Sequence, residues 1–342
     1  MTIPSIIKQN IPLASYTTLG VGGQAEYFCE VGTEAELREA VAWAHENNHM
    51  VTVLGGGSNV LVRDEGVKGL VLRVCILGVI YQTLDDESVY VTVGAGVILD
   101  KLIHELVEKK LWGLENLSAI PGTVGAVPIQ NVGAYGVEAA EVIIKVTVYD
   151  RETGTVHELD CATCAFGYRD SLFKKEGGKR YIILSVTFKV STIANPKLAY
   201  KDLREIFEEG EVPDIARVRN AVCHIRAQKF PDYTVIGTAG SFFKNPIIAQ
   251  GEFERLCKDF PELPGFPHGE GMIKISLGWI LDKVCNLKGY SEGEVGLYEK
   301  QALVLFCAKG IAADDVVSFS EKIIEKVFQK TNIRIEREVT IW

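Results

Sequence analysis

Basic charge is in short supply in this chain. Its 36 Lys and Arg face 45 Asp and Glu, for a formal net charge of −9 and a pI near 5.3. A nucleic-acid surface needs a basic stripe to neutralise phosphates, so the balance argues against such a partner. It leaves room for a local Lys/Arg cluster on a small phosphate-bearing ligand. Long apolar runs are missing too: no stretch approaches the roughly 18–20 apolar residues that cross a bilayer. Residues 1–8 carry no basic segment ahead of a long apolar core, so no signal peptide is expected. The eight cysteines are scattered, and the Cys161/Cys164 pair lacks a second pair at zinc-site spacing. That argues against a disulfide framework or a zinc module and for reduced, partly buried thiols; no metal site is expected. There is no internal repeat, low-complexity segment, coiled-coil signal or swapped arm. The expectation is a soluble, cytoplasmic monomer.

What is present is ordinary globular material, 47% hydrophobic and 24% charged, long enough for two or three domains. Strand-like runs fall at 50–54, 60–62, 70–75, 89–93, 144–149 and 181–190, with a helix over 97–111. A basic helix spans 214–228, and Phe230-Pro231-Asp232 then breaks the chain. Beyond it come helices at 250–260 and 276–286, a strand at 302–307, and an amphipathic helix over 313–330 striped by Val316, Phe319, Ile323 and Val327. A final strand is expected over 333–341. The break predicts a first module at 1–229 and a second at 230–342.

Several segments cost stability unless they do something. Gly55-Gly56-Gly57-Ser58-Asn59 suggests a backbone pressed against a ligand, with consecutive N–H groups forming an anion nest. A tight turn between strands is the bland alternative. Pro121-Gly122-Thr123-Val124-Gly125-Ala126-Val127-Pro128-Ile129-Gln130-Asn131-Val132-Gly133-Ala134-Tyr135-Gly136 is dominated by small residues with two amides embedded, which suits a flat or pyrophosphate-bearing cofactor. Structural turns could use the same pattern. Gly20-Val21-Gly22-Gly23-Gln24-Ala25 fits the dinucleotide fingerprint formally, but polar residues precede it where a hydrophobic strand is required.

Polar chemistry is concentrated in three further places. Gly167-Tyr168-Arg169-Asp170-Ser171 offers an arginine that could clamp a carboxylate, or simply pair with Asp170. Gly240-Ser241-Phe242-Phe243-Lys244-Asn245-Pro246 sets a serine between glycine and two aromatics. With no Gly-x-Ser-x-Gly and no histidine in these segments, Ser241 fits a proton donor better than a nucleophile; a cap or turn serine is the rival. On the last strand Arg334, Glu336, Glu338 and Thr340 alternate with Ile333, Ile335, Val339 and Ile341, with Arg337 the exception, so a carboxylate lies on the open face.

Taken in order and spacing, these segments resemble the UDP-N-acetylenolpyruvoylglucosamine reductases. The likeness covers nearly the whole chain, adding Tyr16-Thr17-Thr18, Gly113-Leu114-Glu115-Asn116-Leu117 and residues 336–339. It implies an α+β architecture: an FAD-binding module of the vanillyl-alcohol oxidase type with two subdomains, near 1–68 and 69–229, then a smaller substrate domain. It also points to the longer subtype, with Leu198-Ala199-Tyr200-Lys201-Asp202-Leu203 as its tyrosine-bearing loop.

The resemblance implies noncovalent FAD and NADPH as cosubstrate, and the glycine loop indeed has no Cys or His to link a flavin. FAD would be held by Gly55, Gly56, Gly57, Ser58, Asn59, Pro121, Gly122, Gly125, Ala126, Gln130, Asn131, Gly133, Ala134 and Tyr135. The implied reaction is reduction of UDP-N-acetylglucosamine enolpyruvate for peptidoglycan synthesis. Arg169 and Glu338 would stabilise the developing enolate, the glutamate acting protonated or through water, and Ser241 would protonate carbon. Tyr168, Tyr200, Lys229, Asn245, Phe266 and Gln301 would hold substrate, Phe266 standing where a tyrosine is usual in relatives. A flavin oxidase of the same fold and a nonenzymatic flavin- or nucleotide-binding protein are the competing readings.

Overall fold

A computed structural model describes residues 3–342, which divide into two compact units. The first comprises the chain up to Ile11, Ala25–Gly57 and Lys68–Arg226; the second comprises Pro12–Gln24, Ser58–Val67 and Ala227–Trp342. The sequence reading kept everything up to residue 229 in one module. The structure instead joins residues 12–24 and 58–67 to the C-terminal part, because their partners are there. Val60–Leu61 pairs in parallel with Thr340–Ile341, Thr238 N–H donates to Thr18 O at 3.1 Å, and Gly310 N–H donates to Gly20 O at 3.0 Å.

In the first unit a four-stranded sheet runs in the order Lys8–Pro12, Gln24–Val31, Val67–Val74, Val51–Leu54. The helix Glu34–Glu46 begins in a capping box, with Thr33 Oγ1 accepting from Glu36 N and Glu36 Oε2 accepting from Thr33 N. It buries Leu37, Ala40, Val41 and Ala44, an i, i+3, i+4, i+7 stripe. An antiparallel five-stranded sheet follows, ordered Thr155–Asp160, Ile143–Asp150, Tyr181–Ser191, Ser88–Gly94, Val79–Thr83. Its β-branched runs and the Leu99, Leu102, Ile103, Leu106 face of the helix Leu99–Glu108 join one core.

The second unit has an antiparallel sheet ordered Gly237–Ser241, Val304–Cys307, Val295–Leu297, Ser291–Glu292, and a smaller one of Ile247–Ala249, Met272–Ile275 and Gly265–Pro267. The helix Ala313–Thr331 buries Val316, Phe319, Ile323 and Val327 as its stripe predicts. Its N-terminus is capped from far away in sequence: Ala313 N–H donates to Asp64 Oδ1 at 2.9 Å and Asp314 N–H to Asp64 Oδ2 at 3.1 Å. Asn332 ends it in the left-handed conformation, φ 60°.

Local expectations were revised in two places. The helix near 276–286 is α-helical only over Leu277–Trp279 and widens into a π turn over Ile280–Val284. The terminal strand is laddered only at Thr340–Ile341; before it Arg337 makes an isolated bridge to Phe243 and the chain bends at Glu338 and Val339. Arg337 breaks the alternation because its guanidinium reaches the helix Ala313–Thr331, bonding Ser320 Oγ at 2.9 Å and pairing with Glu321 at 2.5 Å. The fingerprint-like glycines at 20–23 lead into the strand Gln24–Val31, not a helix. Among the described residues no helix is long and apolar enough to cross a membrane, and no group of His, Cys, Asp and Glu could hold a metal ion.

Candidate functional site

The two glycine-rich segments of the first unit meet backbone to backbone. A Cβ on Gly56 would lie 2.6 Å from Gly122 Cα, and one on Gly55 would lie 2.9 Å from Thr123 Oγ1. Gly57 and Gly122 adopt φ values of 65° and 121°, open to glycine at no steric cost. The Thr123 hydroxyl is buried and has no partner among the described residues, an expense that a ligand oxygen would remove. Close backbone approach and an orphaned hydroxyl fit the pyrophosphate of a dinucleotide such as FAD.

A second cluster surrounds a short hairpin. Gly133–Ala134 pairs with Val137–Glu138 across Tyr135 and Gly136, whose φ values of 49° and 82° are those of a type I′ turn. Tyrosine is a costly occupant of such a turn, where Asn and Gly are usual, and costs of this kind collect at functional sites. Arg169 carries similar strain, φ 52°, in the tight turn closed by Gly167 N–H to Asp170 O at 3.0 Å. Its Nη2 donates to Gly133 O at 2.8 Å, and a Cβ on Gly133 would crowd Nη1 to 3.2 Å. Arg169 also lies over the Tyr168 ring, 5.5 Å from its centroid. Asp170 pairs with Lys175.

Two expected cofactor residues have structural work that accounts for them. Asn131 is 1% exposed and its amide is fully used. It donates to Glu138 Oε2 at 2.7 Å and Gly167 O at 3.1 Å, and accepts from Ala140 N at 2.9 Å. Its side chain therefore ties the Arg169 turn to the hairpin. Gly125 is small because a Cβ there would lie 2.7 Å from Ala95 Cβ. Pro121, Ala126, Gln130 and Ala134 lie on the same stretch, Gln130 and Ala134 half-buried.

Tyr135 and Tyr200 meet edge to face, ring centroids 5.3 Å apart at 82°. Burial pushes the Tyr135 hydroxyl up to about 12, against the pull of Arg226, which hydrogen-bonds it. Arg226 also donates from Nε to Ala119 O at 3.2 Å. Ala119 is left-handed, φ 58°, and its N–H donates to Asp100 Oδ1 at 2.6 Å. Asp100 in turn receives both Arg219 Nη1 at 2.7 Å and Nη2 at 3.0 Å. The basic helix thus grips the turn that leads into the Pro121 stretch. Sequence reading noted these arginines as a basic run but gave them no partner.

In the second unit Ser241 closes the strand Gly237–Ser241 just after a register irregularity at Gly240, φ 72°. Bulges of this kind re-aim the side chain that follows. Glu338 N–H donates to Phe242 O at 2.8 Å, and Lys244 N–H to Glu336 O at 3.0 Å, so the Ser241 segment runs beside residues 336–338. Asn59 Nδ2 donates to Glu338 O at 3.3 Å, which places Asn59 beside the same segment. Asn245 accepts from Leu277 N through Oδ1 at 3.0 Å. Gln301 lies against Gly278, where a Cβ would be 3.3 Å from Oε1. Phe266 is 53% exposed on the strand Gly265–Pro267, and Lys229 ends the basic helix. Of the expected catalytic group, Arg169 belongs to the first unit, and Ser241 and Glu338 to the second.

Two family models match the chain: FAD binding domain over residues 25–160, and UDP-N-acetylenolpyruvoylglucosamine reductase, C-terminal domain, over residues 231–342. The chain is 40% identical over 338 residues to the UDP-N-acetylenolpyruvoylglucosamine reductase of Pseudomonas aeruginosa, covering 98% of this chain and 99% of the relative. It is 39% identical over 335 residues to that of Neisseria meningitidis serogroup B, covering 97% and 96%. Among solved structures it is similar to the UDP-N-acetylenolpyruvylglucosamine reductase from Thermus caldophilus, with a TM-score of 0.67, 27% identity, and coverage of 98% and 99%.

Proposed function

The chain belongs to the UDP-N-acetylenolpyruvoylglucosamine reductase family, and from that premise we infer the reaction it performs. It is an FAD-dependent oxidoreductase that uses NADPH to reduce UDP-N-acetylglucosamine enolpyruvate to UDP-N-acetylmuramate, a step of peptidoglycan precursor synthesis. The observation that carries this reading is a match running the length of the chain, with the flavin model on one part and the reductase model on the other.

When bound, FAD would supply the redox chemistry between NADPH and the enolpyruvyl double bond. The glycine segments at 55–57 and 122–123 would hold its pyrophosphate, with the Thr123 hydroxyl as a donor; their close backbone approach and that unpartnered hydroxyl support this. Arg169, fixed by Gly133 O, aims guanidinium donors at the substrate carboxylate, where negative charge grows as the double bond is reduced. Glu338, protonated or through a bridging water, shares that stabilisation. Ser241 gives its proton to the carbon next to the carboxylate; a hydroxyl suffices because the acceptor is strongly basic. Lys229 pairs with the diphosphate, Tyr200 covers the uridine diphosphate, and Tyr168, Asn245, Phe266 and Gln301 complete the substrate contacts.

The same reading makes the protein a cytoplasmic monomer serving cell shape and division, without a nucleic-acid partner; its acidic balance supports the last point. The test is direct. Purified protein is expected to be yellow and to oxidise NADPH only when the enolpyruvyl UDP-sugar is present. Indifference to that sugar, or steady NADPH consumption with oxygen alone, would overturn the reading in favour of a flavin oxidase.

A further inference from the structure

We propose that Asn116 is the positioning residue for the Tyr135–Tyr200 pair. One side-chain nitrogen joins the two parts of the chain that carry these rings. Asn116 Nδ2 donates to Tyr135 O at 2.9 Å and to Lys197 O at 2.8 Å. The first carbonyl belongs to the strained I′ turn, and the second stands three residues before Tyr200. Arg226 holds Tyr135 by its hydroxyl, at the far end of the ring. Asn116 holds it by the backbone.

The amide is an expensive choice at this position. Asn116 is 1% exposed, and its Oδ1 is buried with no partner among the described residues. A buried acceptor left unsatisfied costs stability that an apolar side chain would avoid. The two donated bonds are what an apolar side chain cannot replace. Aspartate has nearly the same shape but would turn a carboxylate oxygen towards two carbonyls. Asn116 lies in Gly113-Leu114-Glu115-Asn116-Leu117, a segment to which neither the cofactor nor the reaction assigns a role. The neighbouring Glu115 is also buried, 3% exposed, and accepts from Gly113 N at 2.7 Å, which stiffens the turn that presents the amide.

The kinetic consequence rests on the reading of Tyr200 as a substrate-facing residue; the structural one does not. Two arms keep them apart, using the flavin-loaded protein and its Asn116→Asp and Asn116→Ala variants. In hydrogen exchange, both variants are expected to speed exchange over residues 195–204 and at the Tyr135 turn, with the five-stranded sheet unchanged. Unchanged exchange at those residues in a folded variant overturns the proposal. In steady-state kinetics, KM for the enolpyruvyl UDP-sugar is expected to rise about tenfold, the loss of buried hydrogen bonds, with kcat little changed. In the Asn116→Asp/Tyr200→Ala double variant KM should rise no further than in Tyr200→Ala alone, because both substitutions act through one ring. Additive effects overturn positioning through Tyr200. A Tyr200→Ala variant with unaltered KM overturns the substrate-facing reading alone, and the exchange arm still decides the clamp.

Discussion

Glu338 donates its backbone N–H to the carbonyl of Phe242 at 2.8 Å, so the carboxylate and Ser241 stand on adjoining stretches of the second unit although 97 positions separate them in sequence. Backbone pairing of this kind fixes two side chains more firmly than a loop would. If Ser241 supplies the proton, Ser241→Ala will leave flavin reduction by NADPH unchanged. It will slow substrate-dependent reoxidation by roughly 10²–10⁴-fold, the usual worth of a positioned acid. Single-turnover absorbance measurements separate the half-reactions, and equal loss in both would point to a folding or binding defect.

Gly133→Ala tests the seat of Arg169. The added Cβ would meet Val137 O at 3.0 Å and Arg169 Nη1 at 3.2 Å, so the guanidinium must shift by a few tenths of an ångström. We expect flavin to be retained and kcat/KM for the enolpyruvyl sugar to fall about 10- to 100-fold, as a misplaced donor costs in the transition state. Unaltered kcat/KM would show that Arg169 does not need its anchor.

Gly56→Ala should be read by colour and flavin affinity. Its Cβ would sit 2.6 Å from Gly122 Cα, a backbone atom that cannot swing away. Overpacking of this kind costs about 1–3 kcal/mol. Weakening of flavin affinity by about tenfold or more is expected, seen by titrating the deflavinated protein. Affinity equal to the parent's would remove the meeting of the two glycine segments from the cofactor site.

Asp100 gives a prediction in pH. Burial works to raise its carboxyl, but the Arg219 bonds and the Ala119 N–H outweigh it, so the folded value lies below the ordinary carboxylate range. A depressed folded value means that the stabilisation is present above the unfolded value, about 3.9, and is lost as pH falls through the folded one. The carboxylate is 36% exposed, so solvent screening limits the effect to about 1–2 kcal/mol. Denaturant melts of the parent and Asp100→Asn should differ by a constant amount at neutral pH, and the gap should close below about pH 4. A gap that widened with acid would reverse the sign assigned here.

Asp64→Ala removes the cap of the helix Ala313–Thr331 and is expected to cost about 1 kcal/mol in chemical denaturation. Flavin content should not change, since the cap serves the second unit's packing. Stability equal to the parent's would mean that water replaces the cap without loss.

Periodic elements were legible where one face is buried by neighbours of matching period. The Val316, Phe319, Ile323, Val327 stripe and the β-branched strands of the five-stranded sheet needed no long-range knowledge. The helix Glu34–Glu46 could have been read from its capping box, Thr33 with Glu36, but was not, because its alanines dilute the apolar stripe. The terminal strand was read too long, since alternation reports which side chains are covered and not whether the backbone has a ladder partner.

The sequence by itself determined the chemistry on offer: glycine runs that suit a close ligand or a tight turn, one arginine in a Gly-Tyr-Arg-Asp-Ser segment, and a serine in a segment without histidine. Composition and local pattern carry that information because residue type and spacing are local properties. Only the tertiary structure decided which partners those residues have within the protein. It spent the Asn131 amide on Glu138, Gly167 and Ala140, set Gly125 against Ala95, and brought Asp64 to a helix some 250 positions away. It also gave Asn116 two carbonyls to hold. Those partners are long-range, and a hydrogen bond's geometry exists only once the chain has brought donor and acceptor together.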